Sequence, residues 1–326
     1  MERSKCDQIY HSAQKYYRGI GVKQDYRKAF ELFQELSELN GYEGLGLNGL
    51  GYMYHMGQGV EKDYLQAIEH YKKAIKLNNV NSMSNLGSLY YFGKGVKQNY
   101  SKAFKLFIRA SKLNEAYAIN KLGCMYQMGL GVKQDYVQAI EYYSNAIKLN
   151  NSDAMFNLGE MYEKGVGVKQ NYAKAIEYFQ QATKLDHTNS MIKLASLYQH
   201  GQGVKQDCAK AIEYYSQADK LGNLDATSNL LWLYLNGSDL TKSLEYFNKL
   251  YIHDTDRLNE VLTNVQINTF KELTKALIKT NNEKDNLIKQ LNEKNKSLED
   301  ELIKMKYQPG GEGYLEAKEH FEQLMQ

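Results

Sequence analysis

A single proline, Pro309, stands in 326 residues. Turns and strand edges usually recruit proline, so its scarcity argues against a loop-rich or β-rich fold. It favours long helices, which proline would break. Cysteine is nearly as scarce. Cys6, Cys124 and Cys208 are three in number and far apart, which excludes a disulfide scaffold and argues against a zinc site. Free thiols fit a reducing compartment. Charge of one sign is missing too. Lys plus Arg is 41 and Asp plus Glu is 38, and the net charge of +3 is too small for a general nucleic-acid binder. Long apolar runs are absent, so no membrane span is expected. The start, Met1-Glu2-Arg3-Ser4-Lys5-Cys6, has no apolar stretch and does not read as a signal peptide. These absences together point to the cytoplasm or another reducing intracellular compartment.

What the chain has in excess is tyrosine, 28 residues of it. No catalytic centre needs so many, so a repeated structural cause is expected. A repeat supplies it. Gly-Val-x-x-(Asp/Asn)-Tyr opens at Gly21, Gly59, Gly95, Gly131, Gly167 and Gly203, with Cys208 replacing the last tyrosine. After the first interval of 38 the spacing is 36 throughout. Leu-Gly-x-(Met/Leu)-Tyr precedes the middle four, and Ala195 replaces that glycine in the sixth copy. A degenerate seventh copy runs from about Ala226 to Leu250.

Each copy reads as helix, turn, helix. In the fourth, Ala118, Leu122, Met125 and Tyr126 form an apolar face at helical spacing. Gly129 ends that helix and Asp135 caps the next. The second helix is expected to bury Tyr136, Ala139, Ile140, Tyr143, Ala146 and Leu149. The recurrent Gly51, Gly87, Gly123 and Gly159 are set, by their smallness, against Ala67, Ala103, Ala139 and Ala175 of the second helices. Three groups of tyrosines sit at repeat positions, headed by Tyr16, Tyr26 and Tyr71, and account for most of the excess as core.

The pattern resembles the Sel-one-like repeat family, a relative of the tetratricopeptide repeat, over about residues 6 to 251. The resemblance implies an all-α fold, a right-handed superhelical solenoid of helix-turn-helix repeats. It also implies a scaffold or adaptor that binds protein or peptide partners along its concave face. The copy-one Lys15, at a position otherwise Met or Leu, departs from the family pattern and suits an exposed capping repeat. A two-residue insertion near Gly41–Leu47 should bulge the junction of copies one and two.

The solenoid is set at residues 1–253. A helical segment follows at 254–306. Its heptad places Ile288, Asn295 and Leu302 at a and Leu291, Leu298 and Met305 at d, a long C-terminal helix or coiled coil that could join a homodimer through 288–305. Residues 307–326 hold the Pro309-Gly310-Gly311 break and a short amphipathic helix, which is a candidate cap for a solenoid end.

No residue pattern carries chemistry. Gly44-x-Gly46-x-x-Gly49 satisfies a dinucleotide fingerprint without a preceding strand, and it is read as inter-repeat insertion. The seven histidines never pair as H-x-x-x-H, and no catalytic, cofactor-binding or metal-ligating residue is assigned. The reading is therefore a non-enzymatic scaffold with no cofactor, binding neither nucleic acid nor membrane. An enzyme or enzyme regulator built on the repeats, and an RNA-reading repeat array, are the rival classes. The candidate partner groove is assembled from first-helix positions. Tyr52, Met56, Tyr91, Phe92 and Met128 make an apolar run, Trp232 is the lone tryptophan, and Asn85, Asn157 and Asn229 recur five residues before the first-helix tyrosine. The turn lysines Lys23, Lys97, Lys133, Lys169 and Lys205 are read as a solvated ladder.

Overall fold

The computed structural model describes residues 2–237 and 239–254, with Asp256, Arg257, Val261, Glu293 and Lys296 beyond them. The coiled-coil register, the Pro309 break and the terminal amphipathic helix lie outside the described residues. The chain packs as two compact units, Met1–Leu185 and Asp186–Gln326. Both are all-α among the described residues, and no helix there is long and apolar enough to cross a membrane.

The first unit holds five helix pairs: α1 (Glu2–Arg18) with α2 (Tyr26–Ser37), α3 (Glu43–Met56) with α4 (Tyr64–Lys76), α5 (Val80–Phe92) with α6 (Tyr100–Ser111), α7 (Ala116–Met128) with α8 (Tyr136–Lys148), and α9 (Ser152–Lys164) with α10 (Tyr172–Thr183). The second unit holds α11 (Thr188–His200) with α12 (Cys208–Lys220) and α13 (Leu224–Asn236) with α14 (Leu240–His253). Within each unit the pairs stack in chain order, each second helix also meeting the next first helix. This is an all-α solenoid, and its repeats are the sequence repeats.

The turn signature is a set of backbone caps. Gly129 closes α7 in the left-handed region, φ 69°, where a side chain would be strained. Asp135 caps α8, its Oδ1 accepting from the N–H groups of Val137 and Gln138 at 2.9 and 3.0 Å. Gln134 donates to the carbonyl of Gln127 at 2.8 Å, satisfying a carbonyl that the helix end leaves open. The same Gln-to-carbonyl bond recurs from Gln24, Gln98, Gln170 and Gln206. The Gln of each Lys-Gln-(Asp/Asn) run is thus part of the turn.

Within the first unit the next glycine docks the turns of copies two to five on the copy before. A Cβ on Gly131 would stand 2.6 Å from the carbonyl carbon of Tyr100, and one on Gly95 would stand 2.1 Å from the Cβ of Tyr64. A Cβ on Gly21, in the first copy, would meet nothing within 4 Å. Cys208 replaces this docking tyrosine, and the turn of the copy that follows, after Asn236, lacks the Gly-Val phrase altogether.

Three sequence expectations are corrected here. The recurrent first-helix glycines press first on the buried rings one turn beyond the small alanines: a Cβ on Gly87, Gly123 or Gly159 would lie 2.6–2.7 Å from Phe107, Tyr143 or Phe179, and one on Gly51 would lie 2.7 Å from Tyr71 and 3.2 Å from the Ala67 carbonyl oxygen. Leu149 is 40% exposed, because α8 ends at Lys148 and the chain turns away before Leu149 can reach the core. Gly44–Gly49 is helix, the first two turns of α3. Its glycines let α3 approach α2, since a Cβ on Gly49 would stand 2.4 Å from the Phe33 ring and one on Gly46 would stand 2.3 Å from the Ser37 nitrogen. At that junction Tyr42 stands at the N-cap without a side-chain cap, and its hydroxyl donates to Asp7 at 2.7 Å.

The tyrosine excess forms layers. Tyr126, Tyr162, Tyr198 and Tyr234 stack nearly parallel on Tyr142, Tyr178, Tyr214 and Tyr246, with ring centroids 5.4–5.9 Å apart. Tyr54 stacks likewise on His70. Lysine ammonium groups from the second helices cover Tyr16, Tyr90, Tyr162, Tyr198 and Tyr234 at 4.2–5.2 Å.

Candidate functional site

First helices carry the candidate surface because they meet one another as well as their own partners: α3 touches α5, and α7 touches α9. Amide side chains join them. Asn85 Nδ2 donates to Asn48 Oδ1 at 3.2 Å, and Asn157 Nδ2 donates to Asn120 Oδ1 at 3.0 Å and reaches the Cys124 Sγ at 3.4 Å. Ser82 Oγ donates to the same Asn48 oxygen at 2.8 Å. Asn85 and Asn157 therefore spend part of their hydrogen-bonding capacity on holding successive copies together. Asn229 makes its bond to its own helix, donating to the Asp225 carbonyl at 2.8 Å.

In the first unit a cleft of about 530 Å³ opens between α3, α5 and the start of α7. It brings together Tyr52, Met56, Asn85 and Phe92 of the sequence candidates. Met56 and Phe92 are 44% and 51% exposed, large apolar groups held at the surface. Tyr91 and Met128 are not among its lining residues. The Tyr91 ring packs edge-on against Phe92 and Tyr100, with centroids 4.8 and 5.4 Å away, and burial pushes its hydroxyl up to about 12. Met128 stands exposed at the end of α7. In the second unit Asn229 and Trp232 line a separate cleft of about 610 Å³ with His200, Arg257 and Val261. Arg257 there pairs with Asp225 at 2.9 Å and Val261 is buried.

Asn48, His55, Ser84, Ser88, Lys94 and Tyr117 complete the first cleft. His55 and Ser88 stand at first-helix positions that the repeat pattern assigns to the groove, while Asn48, Ser84, Lys94 and Tyr117 escaped the sequence reading. Ser84 Oγ donates to Glu115 at 2.5 Å, and Ser88 Oγ shares a 2.9 Å bond with Tyr117 OH. A usable signal existed, because Asn48–Asn85 and Asn120–Asn157 share one separation across the repeat. Burial, then the charges of Lys94 and Lys62, hold the His55 imidazole below its usual range. Lys94 lies 5.7 Å from the Phe92 centroid, and Lys121 stands 5.1–5.8 Å from the rings of Tyr117, Phe92 and Tyr91.

No three His, Cys, Asp or Glu side chains converge on a point among the described residues. The buried charge at Asp219 is accounted for by structure. Its Oδ1 accepts from Thr227 Oγ1 at 2.5 Å and from Lys249 Nζ at 2.6 Å, tying α12 to α13 and α14.

The Sel1 repeat model matches residues 10–41, 44–79, 80–115, 116–151, 152–187 and 188–223. The gap at Tyr42 and Glu43 falls where the first interval is two residues longer. A solved Sel1 repeat protein from Oxalobacter formigenes is 30% identical, with 70% of this chain and 91% of that one covered at a TM-score of 0.61. A protective antigen of uropathogenic Escherichia coli strains, described as displaying an SLR fold, is 25% identical, with 88% and 68% covered at a TM-score of 0.59. An immunity protein from Pseudomonas aeruginosa shares the fold at 22% identity, with 66% and 81% covered at a TM-score of 0.51. No curated protein matches. Six successive copies under one family model, built on the turn caps described above, make this chain a member of the Sel1 repeat family.

Proposed function

We propose that the protein is a non-catalytic scaffold that binds protein or peptide partners through its first-helix face. Sel1 repeats typically mediate protein interaction, and this reading places that role on a particular surface. The observation that carries it is the first-unit cleft, where Met56 and Phe92 offer exposed apolar area beside the half-buried Tyr52 and the Asn85 amide. Aromatic and methionine side chains held at a surface suit recognition. Recognition alone, with no covalent step, is the mechanism. Homodimerisation through 288–305 is a separate proposal, and light scattering on a chain lacking 280–306 tests it: an unchanged mass rejects the dimer.

The groove is tested by substitution. Partners recovered by affinity purification and mass spectrometry with the intact protein should be lost from the Met56→Ala/Phe92→Ala variant. Retention of every partner by a variant whose circular dichroism matches wild type rejects the groove.

A further inference from the structure

Copy two differs inside from its neighbours. In copies four and six the core ring is a tyrosine whose hydroxyl finds a glutamine: Tyr143 donates to Gln127 at 2.6 Å and Tyr215 donates to Gln199 at 3.1 Å. In copies three and five the ring is Phe107 or Phe179 and needs no acceptor. Copy two keeps the hydroxyl, on the fully buried Tyr71, but has His55 at the glutamine position. Among the described residues, Tyr71 Oη, His55 Nδ1 and His70 Nδ1 are the buried side-chain atoms without a hydrogen-bond partner, and all three belong to this copy. Buried polar atoms are rarely left so. His55 is also a wall of the first-unit cleft.

The charge around that cleft is one-sided. Its carboxylate, Glu115, is occupied: Oε1 accepts from the Tyr117 N–H at 3.1 Å, and Oε2 from the Ala118 N–H at 2.7 Å and from Ser84 at 2.5 Å. Lys94 and Lys121 have no ion pair among the described residues and rest only against aromatic faces. The floor is amide. Asn81 and Asn85 are four residues apart on α5, about 6 Å along the axis. That is close to the separation of about 6.5 Å between alternate residues of an extended chain.

We infer that this cleft takes an acidic, extended segment of a partner polypeptide, its backbone on Asn81 and Asn85, an apolar side chain against Met56 and Phe92, and a carboxylate at Lys94 and Lys121. The inference rests on the first-helix face being the partner surface. Charge complementarity selects the acidic segment, and the wall beside it is His55, where copies four and six have a glutamine that accepts from the core tyrosine.

The test pans the full-length protein against a displayed library of random dodecapeptides, then titrates the selected sequences as labelled peptides. Selected sequences should carry Asp or Glu beside Leu, Ile, Phe or Tyr, and should bind more weakly as salt rises. Lys94→Glu with Lys121→Glu should weaken them by about tenfold or more, with circular dichroism unchanged. His55→Gln, which gives Tyr71 an acceptor, should weaken them less. Neutral or basic selected peptides that are lost on Met56→Ala/Phe92→Ala overturn this inference and leave the groove reading standing. Acidic peptides unaffected by both double variants overturn the two together. A selection that yields no binder overturns the inference as well.

Discussion

Gly123 of α7 lies against the ring of Tyr143 of α8, so close that a Cβ on the glycine would stand 2.6 Å from both Cδ1 and Cε1. The same relationship recurs between Gly87 and Phe107 and between Gly159 and Phe179. In copy six Ala195 takes the position opposite Tyr215, and both are buried. One methyl is therefore tolerated where the ring shifts slightly, and a branched side chain is not. Gly123→Ala should stay within about 1 kcal/mol of wild type, helix propensity offsetting ring displacement. Gly123→Leu should cost about 3 kcal/mol or more. Urea unfolding of the two variants measures the contrast.

Acid should act first on copy two. Burial and neighbouring lysines lower the folded-state pKa of both His55 and His70. A lowered histidine pKa means that the unfolded chain binds more protons than the folded one. Stability is then unaffected above about pH 6.5 and falls as pH drops from there towards the folded values. The thermal midpoint should decrease over that window. Hydrogen exchange should show α3 and α4 opening before α7 and α8.

His55→Gln should recreate in copy two the bond that Tyr143 makes to Gln127 at 2.6 Å. The variant gains an acceptor for the Tyr71 hydroxyl and loses one titrating group. It should melt higher than wild type at pH 5.5 and show a flatter pH dependence. A midpoint that still falls as steeply would reject the pairing.

Amide bonds between copies should cost more to lose than amide bonds within one helix. Asn157→Ala leaves Asn120 Oδ1 without its donor in a side chain that is almost fully buried, a loss of about 1–3 kcal/mol. Asn229→Ala removes a bond to its own backbone and should be nearly neutral. Denaturation midpoints of the pair make the comparison.

Much of the fold was legible because its rules are backbone rules. A left-handed helix end needs Gly129, and a free helix start needs Asp135, so both recur in the sequence at fixed spacing. What faces Gly123 was not legible, because that depends on how two helices cross, and the eye pairs small with small. Leu149 was misplaced for a similar reason: the apolar pattern runs one residue beyond the helix that would have buried it. The site was half legible. Met56 and Phe92 announce themselves by type and position. Asn48 and His55 acquire meaning only against the residues they meet, or fail to meet, in another helix.

Asp219 should anchor α13 and α14 to α12. Lys249→Met leaves a buried carboxylate with Thr227 alone and should cost about 2 kcal/mol, discounted for the partial exposure of the lysine. Limited proteolysis should then cut within α13 and α14 earlier than in wild type.

The docking glycines give the array a direction of growth. Gly131 closes onto Tyr100 and Gly95 onto Tyr64, so each new turn is shaped by a copy that precedes it in the chain. A nascent polypeptide emerges in that same order. Within the first unit each finished copy is a template for the one leaving the ribosome next, and no copy there has to wait for a turn still to be synthesised before its own can set.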